Sequence, residues 1–229
     1  MSKPLISCII PAFNSDKYLA EALDSILAQT YRPFEIIVAD DGSTDTTAEV
    51  SEGYGDRVRF LSQKTAGPAA TRNFGLQNAK GDFVAFLDAD DLWHPEKLSL
   101  QMSRFEQQPE LHLCVTHVKL IWTQTLREEQ EQYQHHVRAK PVPGYATTTL
   151  LARREAFRRI GGFNAEYWFC DATDWFMRAK NAGLIMELLP DVLTYHRMHE
   201  GNLTRRKNEA SRHEFLTIVN KAIRQRCNQ

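Results

Sequence analysis

Apolar and polar positions alternate between two periodicities along the first part of the chain. Residues 5–10 form a short apolar run, the pattern of a strand buried on both faces. Tyr18, Leu19, Ala22, Leu23, Ile26 and Leu27 then recur at helical spacing, which predicts an amphipathic helix over 15–29. Further apolar runs at 34–39, 58–61 and 83–87 predict three more strands. Pro68 suits the first turn of a helix reaching Ala79, and Pro95 opens another that reaches Gln107. Strand and helix alternating in this order predict an α/β fold, a mostly parallel sheet with helices on both faces.

Beyond Leu111 the pattern weakens. Residues 111–118, with Trp122, read as a strand, and the polar stretch 123–143 as a long excursion. Short helices are expected over 156–160, stopped by Gly161 and Gly162, and over 173–182, stopped by Gly183. Two short strands near 185–189 and 192–198 precede a terminal helix from Asn208. The weakening at about residue 110 separates two halves of one domain: 1–110, 111–205 and an appended helix at 206–229.

Composition narrows the classes of function. An apolar share of 42% can build an ordinary core, and a formal net charge of −1 supplies no global field for nucleic acid or an anionic membrane. No apolar stretch approaches the ~20 residues of a membrane span, and 5–10 is too short for a signal peptide. Cys8, Cys114, Cys170 and Cys227 are widely separated, which argues against a disulfide framework or a Cys-based zinc site. A cytoplasmic protein is expected. The basic tail 204–226 carries Phe215, Leu216, Ile218, Val219, Ala222 and Ile223 in a partly amphipathic pattern. Such a helix packs on its own domain or on a second copy, or touches the inner membrane face peripherally.

In an open parallel sheet, ligands bind beyond the carboxyl ends of the strands. Three predicted strand ends carry Pro11, Ala12 and Asn14, then Asp40-Asp41-Gly42-Ser43, then Asp88-Ala89-Asp90-Asp91. Residues i and i+2 of an extended segment point the same way, so Asp88 and Asp90 can face one hard cation. Their alternative is to cap the helix near Pro95. Asp40 and Asp41 read either as a turn or as carboxylates that need a bound donor, such as the ring N–H of a base. Arg72 can reach phosphates or a carboxylate of the site, or lie in solvent. His196 and His199 follow the last predicted strand, where an imidazole can complete a metal's coordination or be structural.

Together these segments resemble the family 2 glycosyltransferases of the GT-A fold. The matching pieces are Ile9-Ile10-Pro11-Ala12-Phe13-Asn14, the run 36–45, Ala70-Thr71-Arg72-Asn73-Phe74-Gly75, the run 81–91, the run 154–163, Asp171-Ala172-Thr173-Asp174 and His199-Glu200-Gly201-Asn202. The resemblance spans residues 5–205. It implies a Rossmann-like sheet with a smaller acceptor-side half, and inverting transfer of a sugar from a nucleotide-diphospho-sugar, a UDP-sugar foremost, with Mn²⁺ or Mg²⁺. The acceptor class, saccharide, lipid-linked or protein, is left open. Pro11, Ala12, Asn14, Asp40, Asp41, Arg72 and Asp88 correspond to nucleotide-binding positions, and Asp90, Asp88 and His199 to metal ligands. The family's general base is the Asp of a Glu-Asp pair, and aligning Asp174 places Ala172 there. Asp171 or Asp174 then serves as the base, or the chain is a silent sugar-nucleotide-binding homologue.

Overall fold

The computed structural model describes residues 3–133, 136, 140–206 and 209–227, without the side chains of 204, 206 and 222–227. Asn208, residues 134–135 and 137–139 of the expected excursion, and the side chains of Ala222 and Ile223 lie outside the described residues. The first half follows the expected alternation: β1 (Ile6–Ala12), α1 (Asp16–Leu27), β2 (Phe34–Asp40), α2 (Thr47–Glu52), β3 (Arg59–Ser62), α3 (Pro68–Asn78) and β4 (Phe83–Phe86). Then come β5 (Leu92–Trp93), α4 (Lys97–Gln107), β6 (Leu113–Trp122), α5 (Arg127–Tyr133), β7 (Val142–Pro143), β8 (Leu151–Arg153), α6 (Arg154–Ile160), α7 (Asp171–Asn181), β9 (Met186–Met198) and α8 (Glu209–Cys227).

The described residues form one nine-stranded sheet in the order β3-β2-β1-β4-β8-β6-β9-β5, with β7 paired to β6. β1, β2, β3 and β4 are mutually parallel, and β8 enters antiparallel beside β4. The side-chain period of two divides the core. Ile6, Cys8 and Ile10 of β1 face α1 and α4 through Leu19, Leu23, Leu98 and Phe105, whereas Ile9 joins Trp175, Phe157 and Phe163 on the other face. Gly75 of α3 lets that helix approach closely, since a Cβ there would fall 2.4 Å from Ile9 Cγ2.

Two local expectations need correction. The strands expected at 185–189 and 192–198 are one strand, β9, which bulges where Pro190 and Asp191 are skipped between the Thr116↔Leu189 and His117↔Val192 pairs. Proline lacks the N–H that a ladder requires, so the break in pattern marks a bulge and not a strand end. The helix expected from Pro95 starts at Lys97, behind the short strand β5. The terminal helix α8 packs through Ile218 against Tyr167 and Cys170, with Phe215 and Leu216 exposed. Cys8, Cys114 and Cys170 are free and buried, and no helix among the described residues is long and apolar enough to cross a membrane.

Candidate active site

The parallel register sets Ala12 beside Asp40 and Ile9 beside Phe86, so β1, β2 and β4 end along one edge of the sheet. Asn14, just past β1, has φ of +47°, a left-handed conformation that Asn tolerates better than most residues. Its N–H donates to Ser43 Oγ at 2.8 Å, and its Oδ1 accepts from the Thr44 N–H at 2.8 Å. The first two strand-end loops are thereby stitched together.

Asp40 and Asp41 are buried, and their partners are supplied by the chain itself. Asp40 accepts from the backbone N–H groups of Gly42 and Ser43 and from the hydroxyls of Ser43 and Ser62. Asp41 accepts from the Ala66 and Gly67 N–H groups at 2.9 Å each and from Gln63 Nε2 at 2.9 Å. Two adjacent buried carboxylates therefore do not require an external donor, because backbone N–H groups meet the cost of burying them. Asp45 accepts from the Thr47 N–H at 3.0 Å and fixes the start of α2.

The third strand end is organised differently. Arg72 projects from α3, 9% exposed, and donates from Nη2 to Asp88 Oδ1 at 2.9 Å and from Nη1 to Asp171 Oδ2 at 2.7 Å. Burial works against its charge, but Asp171 and then Asp88 outweigh that cost and hold the guanidinium firmly protonated. Asp171 is the first residue of α7, and Cys170 takes the N-cap position, so the Asp171 side chain is not a helix cap. One buried cation ties the end of β4 to the start of α7, residues 16 and 99 positions from Arg72 in sequence.

Asp90 turns to the other half of the chain. Its Oδ2 accepts from His199 Nε2 at 2.9 Å and from Asn202 Nδ2 at 3.1 Å. Burial opposes ionisation of Asp90, yet the His199 hydrogen bond and the neighbouring imidazoles bring its pKa below the ordinary value. Asp91, fully buried, accepts from His196 Nδ1 at 2.9 Å and from the Arg197 N–H at 3.0 Å. Burial pushes Asp91 up to about 6; burial also lowers the His196 imidazole, but Asp91 more than reverses this and lifts it to about 9. The two form an ion pair at neutral pH. Neither Asp90 nor Asp91 caps α4, whose N-cap position is Glu96.

Asp90 and His199 offer one carboxylate and one imidazole to a cation. The Gly201 N–H donates to His199 Nδ1 at 3.2 Å, which places the imidazole proton on Nε2, toward Asp90. To ligate a cation through Nε2, the ring would carry its proton on Nδ1 and give up the Gly201 hydrogen bond. Among the described residues no cluster of three or more His, Cys, Asp or Glu is placed to hold a metal ion. A two-side-chain set still suits Mg²⁺ or Mn²⁺, which fill their remaining positions with water and substrate phosphates. Asp88, expected as a further ligand, accepts from Arg72 through Oδ1.

The sequence profile described as "Glycosyl transferase family 2" matches residues 7–161, more than half of the chain. The chain belongs to glycosyl transferase family 2. An uncharacterised glycosyltransferase of Rickettsia typhi is 42% identical over 100 residues, 44% of this chain and 31% of that protein. One of Haemophilus influenzae is 40% identical over 121 residues, 51% of this chain and 47% of that protein. The fold is shared with Staphylococcus aureus TarS in complex with UDP-GlcNAc, TM-score 0.72, at 23% identity over 89% of this chain and 61% of that one. It is also shared with the mannosyltransferase PcManGT of Pyrobaculum calidifontis in complex with GDP-Man and Mn²⁺, TM-score 0.69, at 22% identity over 90% and 60%. The chain thus spans less than half of those two curated relatives and about three fifths of the two solved chains.

Within this family 2 chain, the two candidates for the base occupy different surroundings. Asp174 accepts from Arg178 Nε at 2.7 Å, and Arg178 also donates to the carbonyls of Ile160 and Gly162. That network fastens the 160–162 turn to α7 and does not include Arg72 or Asp88. Asp171 alone of the two joins the strand-end cluster. Ala172 lies on the inner stripe of α7 with Trp175, Phe176 and Ala179, against the core. Its methyl group fills an apolar contact. Asn202, 3% exposed, was not singled out from the sequence, although it orients both Asp90 and the His199 N–H. A buried Asn in a loop next to a candidate ligand was the available signal.

Proposed function

We propose that this chain is a metal-dependent inverting glycosyltransferase that takes its sugar from a nucleotide diphosphate, with a UDP-sugar the favoured donor. The observation that carries the reading is the bridge Asp88–Arg72–Asp171, which brings a candidate donor-side carboxylate and a candidate base onto one guanidinium. The nucleoside occupies the edge formed by Pro11, Ala12, Asn14 and the Asp41-anchored loop, with Asp88 beside it. Asp90 and His199 hold Mn²⁺ or Mg²⁺, which when bound neutralises charge on the departing diphosphate. Asp171 Oδ2 is taken by Arg72, while Oδ1 has no hydrogen-bond partner among the described residues and receives the proton of the acceptor hydroxyl. The acceptor oxygen bonds to the anomeric carbon as the bond to the diphosphate breaks on the opposite face, which inverts the centre. Arg72 orients the base through the 2.7 Å hydrogen bond to Asp171 Oδ2.

The alternative, a silent homologue, rests on Ala172, which packs half-buried against the core, and turnover decides between the two readings. A thermal-shift screen of UDP-, GDP- and dTDP-sugars with and without Mn²⁺ tests the proposal, since a ligand that binds only the folded state raises its stability. A UDP-sugar is expected to give the largest Mn²⁺-dependent shift and metal-dependent turnover, both lost in Asp90→Asn. Equal shifts with and without metal, or unchanged turnover in Asp90→Asn, would sink the metal-dependent reading.

A further inference from the structure

Three successive backbone N–H groups, those of Trp168, Phe169 and Cys170, donate to the carboxylate of Glu214 at 3.0, 3.0 and 3.1 Å. They lie immediately before α7, and therefore immediately before Asp171. Consecutive N–H groups that converge in this way make a concave site for an anion. Here α8 supplies the anion from within the chain. The same helix packs Ile218 against Tyr167 and Cys170, and its Lys221 Nζ donates to Tyr167 Oη at 3.0 Å. The strap 164–170 is thus gripped by α8 at Tyr167 and along 168–170.

The far side of the strap meets the donor-side loop. Trp168, 47% exposed, lies over Gly67, where an added Cβ would come within 3.1–3.2 Å of its ring. The Gly67 N–H is itself bound by Asp41 at 2.9 Å. A short segment therefore touches the loop that Asp41 anchors and leads directly into the carboxylate that Arg72 holds.

We infer that Glu214 is a positioning residue: it fixes the 168–170 strap so that Asp171 stays on Arg72 and Trp168 stays on Gly67. This rests on the glycosyl-transfer reading, in which Asp171 takes the acceptor's proton. The structural reason for a carboxylate is that three converging donors need two acceptor oxygens, and Glu214 supplies both. Loss of the anion leaves the strap free to drift. A small displacement of a reacting group is costly, on the order of 10²-fold per ångström.

The test compares Glu214→Ala and Glu214→Gln with Arg212→Ala, a change at an exposed position of the same helix. Using the nucleotide sugar that the parent turns over fastest, Glu214→Ala is expected to lower kcat about tenfold or more with donor KM within about twofold. Glu214→Gln keeps one acceptor oxygen and recovers part of the loss. Acrylamide quenching of tryptophan fluorescence rises in Glu214→Ala as Trp168 leaves Gly67, and Arg212→Ala changes none of these. The inference is overturned if kcat stays within about twofold of the parent, or if kcat and KM change in step with Gln no better than Ala. A parent that turns over no donor sinks the functional reading instead. Hydrogen exchange at the 168–170 amides then decides the strap: faster exchange in Glu214→Ala supports it, and unchanged exchange rejects it.

Discussion

The carboxylates of the two strand-end clusters are held in opposite ways. Asp40 and Asp41 are satisfied by backbone N–H groups, hydroxyls and an amide, 2 to 26 residues away in sequence. Asp88, Asp90 and Asp91 are held by Arg72, His199 and His196, and the two histidines stand 105 to 109 positions away. Neutral backbone donors fix a loop's shape and leave the carboxylate nothing further to do. Side chains that carry or exchange a proton, brought from the other half of the chain, leave a site whose charge can be rearranged by a ligand. The first cluster is the frame of the rim, and the second is where chemistry is expected.

That contrast can be broken most severely at Asp171. Asp171→Asn keeps the shape but removes the basic oxygen, and kcat is expected to fall about 10²–10⁴-fold. Donor-dependent thermal shifts should persist, and their loss would place Asp171 in donor binding instead. Arg72→Gln comes next. It leaves Asp88 and Asp171 facing each other without a cation, and urea unfolding should show a loss of about 3–5 kcal/mol. A loss below 1 kcal/mol, within the range of an exposed pair, would mean that the bridge is open to solvent.

Lys97 sharpens the contrast from the other side, as a buried cation with no ion-pair partner among the described residues. Its Nζ donates to Gln101 Oε1 at 2.8 Å and lies 4.3 Å from the Trp93 ring centroid. Burial lowers its pKa from 10.5 to about 7. The unfolded chain keeps the proton up to 10.5 and the folded chain gives it up near 7, so stability rises with pH across that window. The penalty is complete below pH 7. Lys97→Met is therefore expected to raise the unfolding free energy by about 1–4 kcal/mol at pH 6, with the gain shrinking toward pH 10. A gain independent of pH would show that Lys97 stays charged in the folded chain across that range. The smallest effect belongs to the frame: Asp41→Asn leaves one backbone N–H poorly matched, a cost of about 1–3 kcal/mol in stability. Its kcat should change less than that of Asp171→Asn; an equal loss would erase the distinction between frame and chemistry.

The first half of the fold was legible because β1, β2 and β4 are short, largely apolar and mostly buried segments, a pattern carried by each segment alone. β8 was not, since Leu151–Arg153 is three residues long and passes straight into α6. Pro190 disguised a bulge as a strand end. In the site, the spacing of Asp88 and Asp90 and the position of His199 were readable. Their partners were not, because Arg72 reaching Asp171 across 99 residues leaves no trace in local periodicity. Asp40 and Asp41 were legible as a turn or as carboxylates awaiting a donor, but their donors within the chain were not: Gly42, Ser43 and Ser62 for Asp40, and Gln63, Ala66 and Gly67 for Asp41. Asn202 falls in the matching 199–202 segment but its contacts exist only in the folded chain, and Glu214 lies beyond pattern altogether.

The central claim is that Arg72 joins the two halves of the chain into one site through Asp171. A double-mutant cycle of Arg72→Gln and Asp171→Asn on the unfolding free energy measures that junction directly. Strong coupling is expected, about 1.5–3 kcal/mol, with the double variant far less destabilised than the sum of the singles. Additivity within about 0.5 kcal/mol would contradict it and leave the two residues as independent occupants of the same rim.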